Sequence, residues 1–275
     1  MAQVRDLLAR AGDLPGDSGR RDAEILLCHS LGKSRSWLYT WPEAEVEGLP
    51  LSTFERLFAA RQRGEPVAYL TGQREFWSLN LKVTPATLIP RPETETLVQW
   101  ALQLPLPKDS RVLDLGTGSG AIALALGSER PLWYLTAVDA SDAALAVARE
   151  NAEAAKLAHM RLLQSDWYEA LAGERFELVV SNPPYVDPGD PHLERGDLRF
   201  EPETALAAGN GGLADIEAII AGAAAHLAQE GWLLLEHGCE QGEPVRGLLR
   251  DAGFSSVETR CDLAGLERIT GGCLC

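Results

Sequence analysis

The 275-residue sequence contains no apolar run approaching the roughly 18 to 20 residues that a membrane-spanning helix needs, and Met1 leads straight into Arg5 and Asp6 without a secretory apolar core. No membrane association is expected, and a cytoplasmic location is. Basic residues are scarce, with 25 Lys and Arg against 40 Asp and Glu and a formal net charge of −15. A surface that grips a phosphate backbone non-specifically is therefore disfavoured, and no direct nucleic-acid partner is expected. The five cysteines (Cys28, Cys239, Cys261, Cys273 and Cys275) are odd in number and form no C-x-x-C pair. That fits neither a disulfide framework nor a zinc site, so reduced thiols are expected. His192, His226 and His237 are too scattered to form a metal set, and no metal is expected. Internal repeats and low-complexity segments are also missing.

What is present is a hydrophobic fraction of 45%, enough for a sizeable core without cross-links, in one large domain and a smaller one. The first part of the chain has apolar residues at helical spacings: Val4, Leu7 and Leu8, then Ile25, Leu26 and Leu27, then Phe54, Leu57 and Phe58. Ser52-Thr53-Phe54-Glu55 reads as a capping box that starts the last of these helices, with Gly64 closing it. A small helical domain is expected over residues 1–70. β-Favouring residues and turn formers from Tyr69 to Leu88 predict a hairpin-like connector at 71–87, and Pro85, Pro90 and Pro92 interrupt regular structure there. The second domain is placed at 88–275. Short apolar strands alternate in it with helical stretches: Val112 to Leu115, Leu135 to Val138, Leu162 to Leu163, Leu178 to Val180 and Trp232 to Leu235. That alternation predicts a doubly wound α/β sheet, with helices over Asp142 to Lys156, capped by Ser141, and over Ala214 to Leu227.

Three strand ends carry candidate ligand-binding residues. Asp114-Leu115-Gly116-Thr117-Gly118-Ser119-Gly120 follows the first strand and opens the first helix, where glycines let the backbone turn sharply and approach a ligand. Asp139 ends the second strand, and its carboxylate at the sheet edge can accept both hydroxyls of a ribose. Asp166-Trp167 ends the third, offering an acceptor for an adenine amino group beside an aromatic face. A dinucleotide-dependent dehydrogenase would use the same sheet edge.

The fourth strand argues otherwise, because Leu178-Val179-Val180-Ser181 runs into Asn182-Pro183-Pro184-Tyr185. An amide nitrogen attacks a methyl group poorly, since its lone pair is delocalised into the carbonyl. The side-chain oxygen of Asn182 and the main-chain oxygen of Pro183 could both accept from one NH₂ group and help localise that pair, while Tyr185 stacks on the planar acceptor. Transfer from a sulfonium discharges the donor's positive charge, so no strong general base is required.

With these motifs the chain resembles the release factor glutamine methyltransferases. The resemblance also takes in Arg20 to Leu27, Leu88-Ile89-Pro90-Arg91-Pro92-Glu93-Thr94-Glu95, Arg199-Phe200-Glu201-Pro202 and Leu235-Glu236-His237-Gly238. It implies a small helical N-terminal domain joined by a β-hairpin to a Rossmann-like, seven-stranded class I methyltransferase domain. It further implies S-adenosyl-L-methionine as cofactor, S-adenosyl-L-homocysteine as product, and as acceptor the glutamine of the Gly-Gly-Gln motif in class 1 peptide chain release factors. Carried over by position, Gly116, Thr117, Gly118, Ser119 and Gly120 would line the methionine part of the cofactor, Asp139 the ribose, and Asp166 and Trp167 the adenine region. Asn182, Pro183, Pro184 and Tyr185 would hold the glutamine, with Asn182 also bordering the cofactor, and Pro90 to Glu93 would border the same pocket. A monomer is expected. Two rivals are a nucleic-acid amino methyltransferase, which the charge and the lack of a basic track disfavour, and an idle adaptor, which would be free to lose Asn182 or Asp139.

Overall fold

A computed structural model of the chain describes residues 1–274, and Cys275 lies outside the described residues. The chain divides into two compact units, Met1–Gln73 with Glu194–Phe200, and Arg74–Leu193 with the chain from Glu201 onward.

The first unit is helical: α1 (Val4–Ala9), α2 (Gly19–Leu31), α3 (Arg35–Thr40), α4 (Gly48–Gln62) and α5 (Val67–Thr71), with β1 (Ala2–Gln3) paired to β2 (Glu45–Val46). Its core gathers Val4, Leu7, Leu8, Leu26, Leu27, Phe54, Leu57 and Phe58. Ile25 is exposed instead, because successive residues turn by about 100° around a helix and three in a row cannot all face one core. The capping box is also corrected. The helix begins four residues before Ser52, and the Ser52 hydroxyl donates back to the Leu49 carbonyl at 2.9 Å. Pro50 explains the earlier start, since in a first turn its missing N–H leaves no bond unmade. Gly64, at φ +94°, follows the helix end and donates its N–H to the Arg61 carbonyl.

Segment 194–200 joins this unit through Arg61. That buried guanidinium bonds the buried Asp22 carboxylate at 2.8 Å and Asp197 at 2.7 Å, and Arg199 donates to the Arg63 carbonyl at 2.6 Å.

In the second unit β3 (Gln73–Phe76) and β4 (Leu79–Lys82) form a hairpin. Its turn residues Trp77 and Ser78 both have positive φ, which matches the twist of a tight two-residue hairpin. There follow α6 (Glu95–Gln103), β5 (Arg111–Leu115), α7 (Ala121–Glu129), β6 (Tyr134–Asp139), α8 (Asp142–Ala154), β7 (Arg161–Gln164) and β8 (Phe176–Ser181). After the single turn α9 (Gly209–Gly212) come α10 (Ala214–His226), β9 (Leu227–Glu236), α11 (Gly242–Asp251), β10 (Phe254–Cys261) and β11 (Glu267–Leu274). Ser141 caps α8 by accepting from the Ala144 N–H.

Seven strands lie in the order β10-β11-β9-β8-β5-β6-β7, parallel from β7 through β9 and antiparallel at β11 and β10. Alternate residues of the central strands serve opposite faces. Val112, Ala137, Leu178, Val180 and Leu234 join one core, and Leu113, Leu115, Val138, Val179, Leu233 and Leu235 join the other. Both faces are covered, which is why these strands read as continuous apolar runs. Among the described residues no helix is long and apolar enough to cross a membrane.

Arg61→Ala should destabilise the helical unit by about 3 kcal/mol, because it strands the Asp22 carboxylate in a buried site. The paired change Asp22→Asn with Arg61→Met should recover most of that loss. Urea unfolding of the full chain followed by circular dichroism measures both, and equal losses in the two variants would contradict the pairing argument.

Candidate active site

Strand register sets the geometry. Leu115 pairs with Val138 on one side and Ser181 on the other, and Asp139 pairs with Gln164. The chain continuations after β5, β6, β7 and β8 therefore emerge side by side at one carboxyl edge. The edge includes the point where strand order reverses between β5 and β8, the usual ligand crevice of such sheets.

Gly116, Gly118 and Gly120 all have positive φ, at +69°, +56° and +85°. At Gly116 a Cβ would sit 3.5 Å from the Trp167 ring, an ordinary contact, so the positive φ rather than the indole calls for glycine there. The loop is anchored from beneath. Thr117 donates its N–H to the Val138 carbonyl and its hydroxyl to Asp114, at 2.9 and 2.6 Å, and Asn151 donates to the Ser119 carbonyl at 2.8 Å. Asp139 accepts from the Gly118 N–H at 2.8 Å and the Ser141 N–H at 2.9 Å, which fixes the carboxylate at the rim. Burial raises its pKa, and those two N–H bonds oppose the rise. Trp167 adopts φ +43°, and its carbonyl accepts the Ser165 hydroxyl at 2.9 Å.

A cavity of about 490 Å³ opens here, a size suited to a nucleoside-like ligand. Of the residues singled out in the sequence, Gly116, Thr117, Gly118, Ser119, Asp139, Asp166, Trp167, Asn182 and Pro184 line it. Gly120, Pro183 and Tyr185 do not. Gly120 caps α7 and packs against Leu124 and Ala148, and Pro183 is buried. The Tyr185 hydroxyl points to Glu236 at 3.3 Å, with its ring packed on the apolar core. From the proline-rich segment Pro90 lines the cavity, while Arg91 pairs with the buried Glu201, whose other oxygen accepts the Ile89 N–H.

Asn182 donates Nδ2 to the Thr94 hydroxyl at 3.3 Å, and its Oδ1 is buried without a partner. The loop bearing it is tied on several sides. Ser181 donates to the Leu115 carbonyl, the N–H groups of Tyr185 and Val186 both donate to the Leu206 carbonyl, and Gln241 donates to the Tyr185 carbonyl.

The sequence reading assigned no role to Thr94, Asp215 or Glu236. Thr94 and Glu236 both lay in stretches noted for family likeness. Asp215 sits in the first turn of α10 and lines the cavity, where burial and the nearby Asp166 raise its pKa. An acidic residue opening a helix is too ordinary to signal that position.

Among curated relatives, the chain is 53% identical to the release factor glutamine methyltransferase of Salmonella typhimurium, with 93% of this chain and 92% of that protein aligned. The enzyme of that name from Pseudomonas aeruginosa is 52% identical, with 96% of each chain covered. This chain belongs to the release factor glutamine methyltransferase family. Within it, residues 1–72 match the PrmC N-terminal domain and residues 94–195 the Methyltransferase small domain. The hMettl16 catalytic domain, solved in complex with MAT2A 3′UTR hairpin 6, shares the fold at a TM-score of 0.58. It is 21% identical and covers 75% of this chain and 79% of that one. Membership of the family makes the carboxyl-edge cavity the candidate active site of a protein-glutamine methyltransferase.

Asp114 supplies a pH test of the loop anchor. Complete burial pushes its carboxyl up to about 7 from an ordinary 3.8, against the opposing bonds from Thr117 and the Ala123 N–H. The folded state thus keeps a proton that the unfolded chain releases between those values. This contribution to stability is intact below 3.8 and is lost as pH rises through about 7. Asp114→Asn removes the titration, so the melting temperature of the variant relative to the native chain should rise between about pH 5 and about pH 8. A difference that stays constant with pH in thermal melts would contradict the assignment.

Proposed function

We propose that this protein transfers the methyl group of S-adenosylmethionine to the side-chain amide nitrogen of the glutamine in the Gly-Gly-Gln motif of class 1 peptide chain release factors. The observation that carries the reading is the buried, unpartnered Oδ1 of Asn182 beside a nucleoside-sized cavity. A buried polar atom without a partner costs about 1 to 3 kcal/mol, and an arriving N–H donor recovers that cost.

The chain's own residues fit the cofactor. The glycine loop leaves room for the methionine portion, the Asp139 carboxylate can accept ribose hydroxyls, and Trp167 with Asp166 offers a face and an acceptor for the base. Asp139, Asp166 and Asp215 bring acidic groups to one cavity, which favours a cationic ligand. When bound, S-adenosylmethionine supplies an electrophilic methyl group on a positively charged sulfur.

Asn182 then acts on the acceptor. Its Oδ1 can take one N–H of the glutamine amide, and the Pro183 carbonyl is the candidate for the second. Two acceptors on one NH₂ oppose delocalisation of the nitrogen lone pair and hold it towards the methyl group. With the cofactor held by the glycine loop, Asp139 and Trp167, the methyl carbon would pass to the amide nitrogen with its former bonding pair left on sulfur, and the nitrogen would afterwards release one proton to solvent. The contribution of the protein is alignment and fixed dipoles rather than a strong base. Release factors act in translation, and the proposed place of action is accordingly the cytoplasm.

Methyl transfer from radiolabelled S-adenosylmethionine is the test, using a purified class 1 release factor, its glutamine-to-alanine variant, tRNA and DNA as acceptors. Label is expected on the native factor alone, and label on nucleic acid would overturn the reading. Asn182→Ala should lower kcat by about 100-fold or more while S-adenosylhomocysteine binds almost as before. Asp139→Ala should weaken that binding by about tenfold.

A further inference from the structure

Asn151 lies in the C-terminal half of α8, with 3% of its surface exposed, and both ends of its carboxamide are bonded. Its Oδ1 accepts the Lys82 N–H at 2.7 Å, and its Nδ2 donates to the Lys82 carbonyl at 3.0 Å and to the Ser119 carbonyl at 2.8 Å. These partners fix which end of the amide is which, because a main-chain N–H only donates and a carbonyl only accepts. The two bonds to Lys82 are those a neighbouring strand would make, and β4 has a strand, β3, on one side only. One side chain thus stands in for a strand at the end of the hairpin and holds the glycine loop with its other proton.

Both segments border the candidate active site. The glycine loop lines the cavity at Gly116 to Ser119, and the chain leaving β4 lines it at Pro85 to Leu88. Between Lys82 and Pro85 the chain has little slack. Val83 is buried, the Thr87 N–H donates to the Thr84 carbonyl at 2.9 Å, and the Ala86 N–H meets the Thr84 hydroxyl at 3.3 Å, which closes a tight turn. A shift of Lys82 is therefore passed to the cavity lining. Two stretches of that lining, distant in sequence, share one buried amide.

We propose that Asn151 is a positioning residue for the cofactor, holding the glycine loop and the turn at 84–87 at the spacing in which S-adenosylmethionine binds. The inference rests on the cofactor reading above, and Asn151 itself lies outside the cavity lining. Without its donors the two stretches move independently, and only a fraction of molecules has the binding spacing at any moment. The apparent dissociation constant rises by the inverse of that fraction. Bound cofactor gathers the two stretches again, so the rate at saturation is retained. A residue serving stability alone would lower the number of folded molecules and leave the affinity of the rest unchanged.

The experiment compares Asn151→Asp and Asn151→Ala with the native full-length protein. Asn151→Asp keeps the size and the acceptor for the Lys82 N–H, but turns a carboxylate oxygen on two carbonyls that cannot donate to it. Asn151→Ala adds no charge and keeps the test open should the carboxylate prevent folding. In calorimetric titration with S-adenosylhomocysteine, the dissociation constant should rise by about tenfold or more in both variants at unchanged stoichiometry. In methyl transfer to release factor, KM for S-adenosylmethionine should rise in step, with kcat and KM for the release factor little changed. Hydrogen exchange should quicken at both 82–88 and 116–120, and saturating S-adenosylhomocysteine should slow both again. Native affinity in Asn151→Asp, a loss confined to stoichiometry or kcat, or faster exchange in one segment alone would overturn the proposal. If the native protein binds no S-adenosylhomocysteine, the cofactor reading falls, and hydrogen exchange alone decides whether Asn151 couples the two segments.

Discussion

The pairing of Leu115 with Val138 on one side and Ser181 on the other governs where the functional groups lie. The residues just past those pairs are Gly116, Asp139 and Asn182, of which Asp139 still pairs with Gln164 on β7. A slip of one residue would exchange the two faces of a strand and send apolar side chains out of both cores. Packing on both sides of the sheet thus holds the active-site register, and no separate device is needed to align the glycine loop, the Asp139 carboxylate and the Asn182 amide. Function and core share one constraint.

Much of this was legible in the residues. Apolar runs marked the five parallel strands, longest in those covered on both faces and reduced to Leu162-Leu163 in the half-buried edge strand β7. The last two strands were visible only through family likeness. The β10 sequence from Phe254 to Cys261 is mostly polar, with Ser255, Ser256, Glu258, Thr259 and Arg260 among its eight residues, and β11 carries Gly271-Gly272, which looks like a turn. Packing explains the glycine, since a Cβ at Gly271 would come within 2.8 Å of the Leu233 carbonyl and 3.1 Å of Trp100. That requirement comes from the partner strand and α6, and no local pattern encodes it.

The site was readable to the extent that its groups sit at strand ends. Asp139, Trp167 and Asn182 follow short apolar runs, so their positions could be deduced from the strands. The contacts of Thr94 with Asn182 and of Glu236 with Tyr185 could not, because they join segments more than fifty residues apart through ordinary residue types. The Tyr185 ring is the instructive case. Sequence reasoning turned it towards the acceptor, whereas its hydroxyl meets Glu236 and its ring lies on the core. A tyrosine is amphipathic, and a buried carboxylate is a stronger attraction for its hydroxyl than an open pocket.

Glu236 and the unpartnered Asn182 oxygen are both costs to the folded state, and the loop around them explains why they persist. Left free, Asn182 could rotate until Oδ1 found a donor and so abolish the unsatisfied acceptor. The Leu206 carbonyl takes two N–H groups of the loop, Gln241 holds the Tyr185 carbonyl, and Ser181 is tied to Leu115. These bonds remove the backbone freedom that such a relaxation would use. What remains is rotation of the carboxamide itself, and the bond from Asn182 Nδ2 to the Thr94 hydroxyl opposes that. Under the proposed function, the unpartnered Asn182 oxygen is an acceptor already in place for an incoming N–H donor, which is the form that electrostatic preorganisation takes in a site without a strong base.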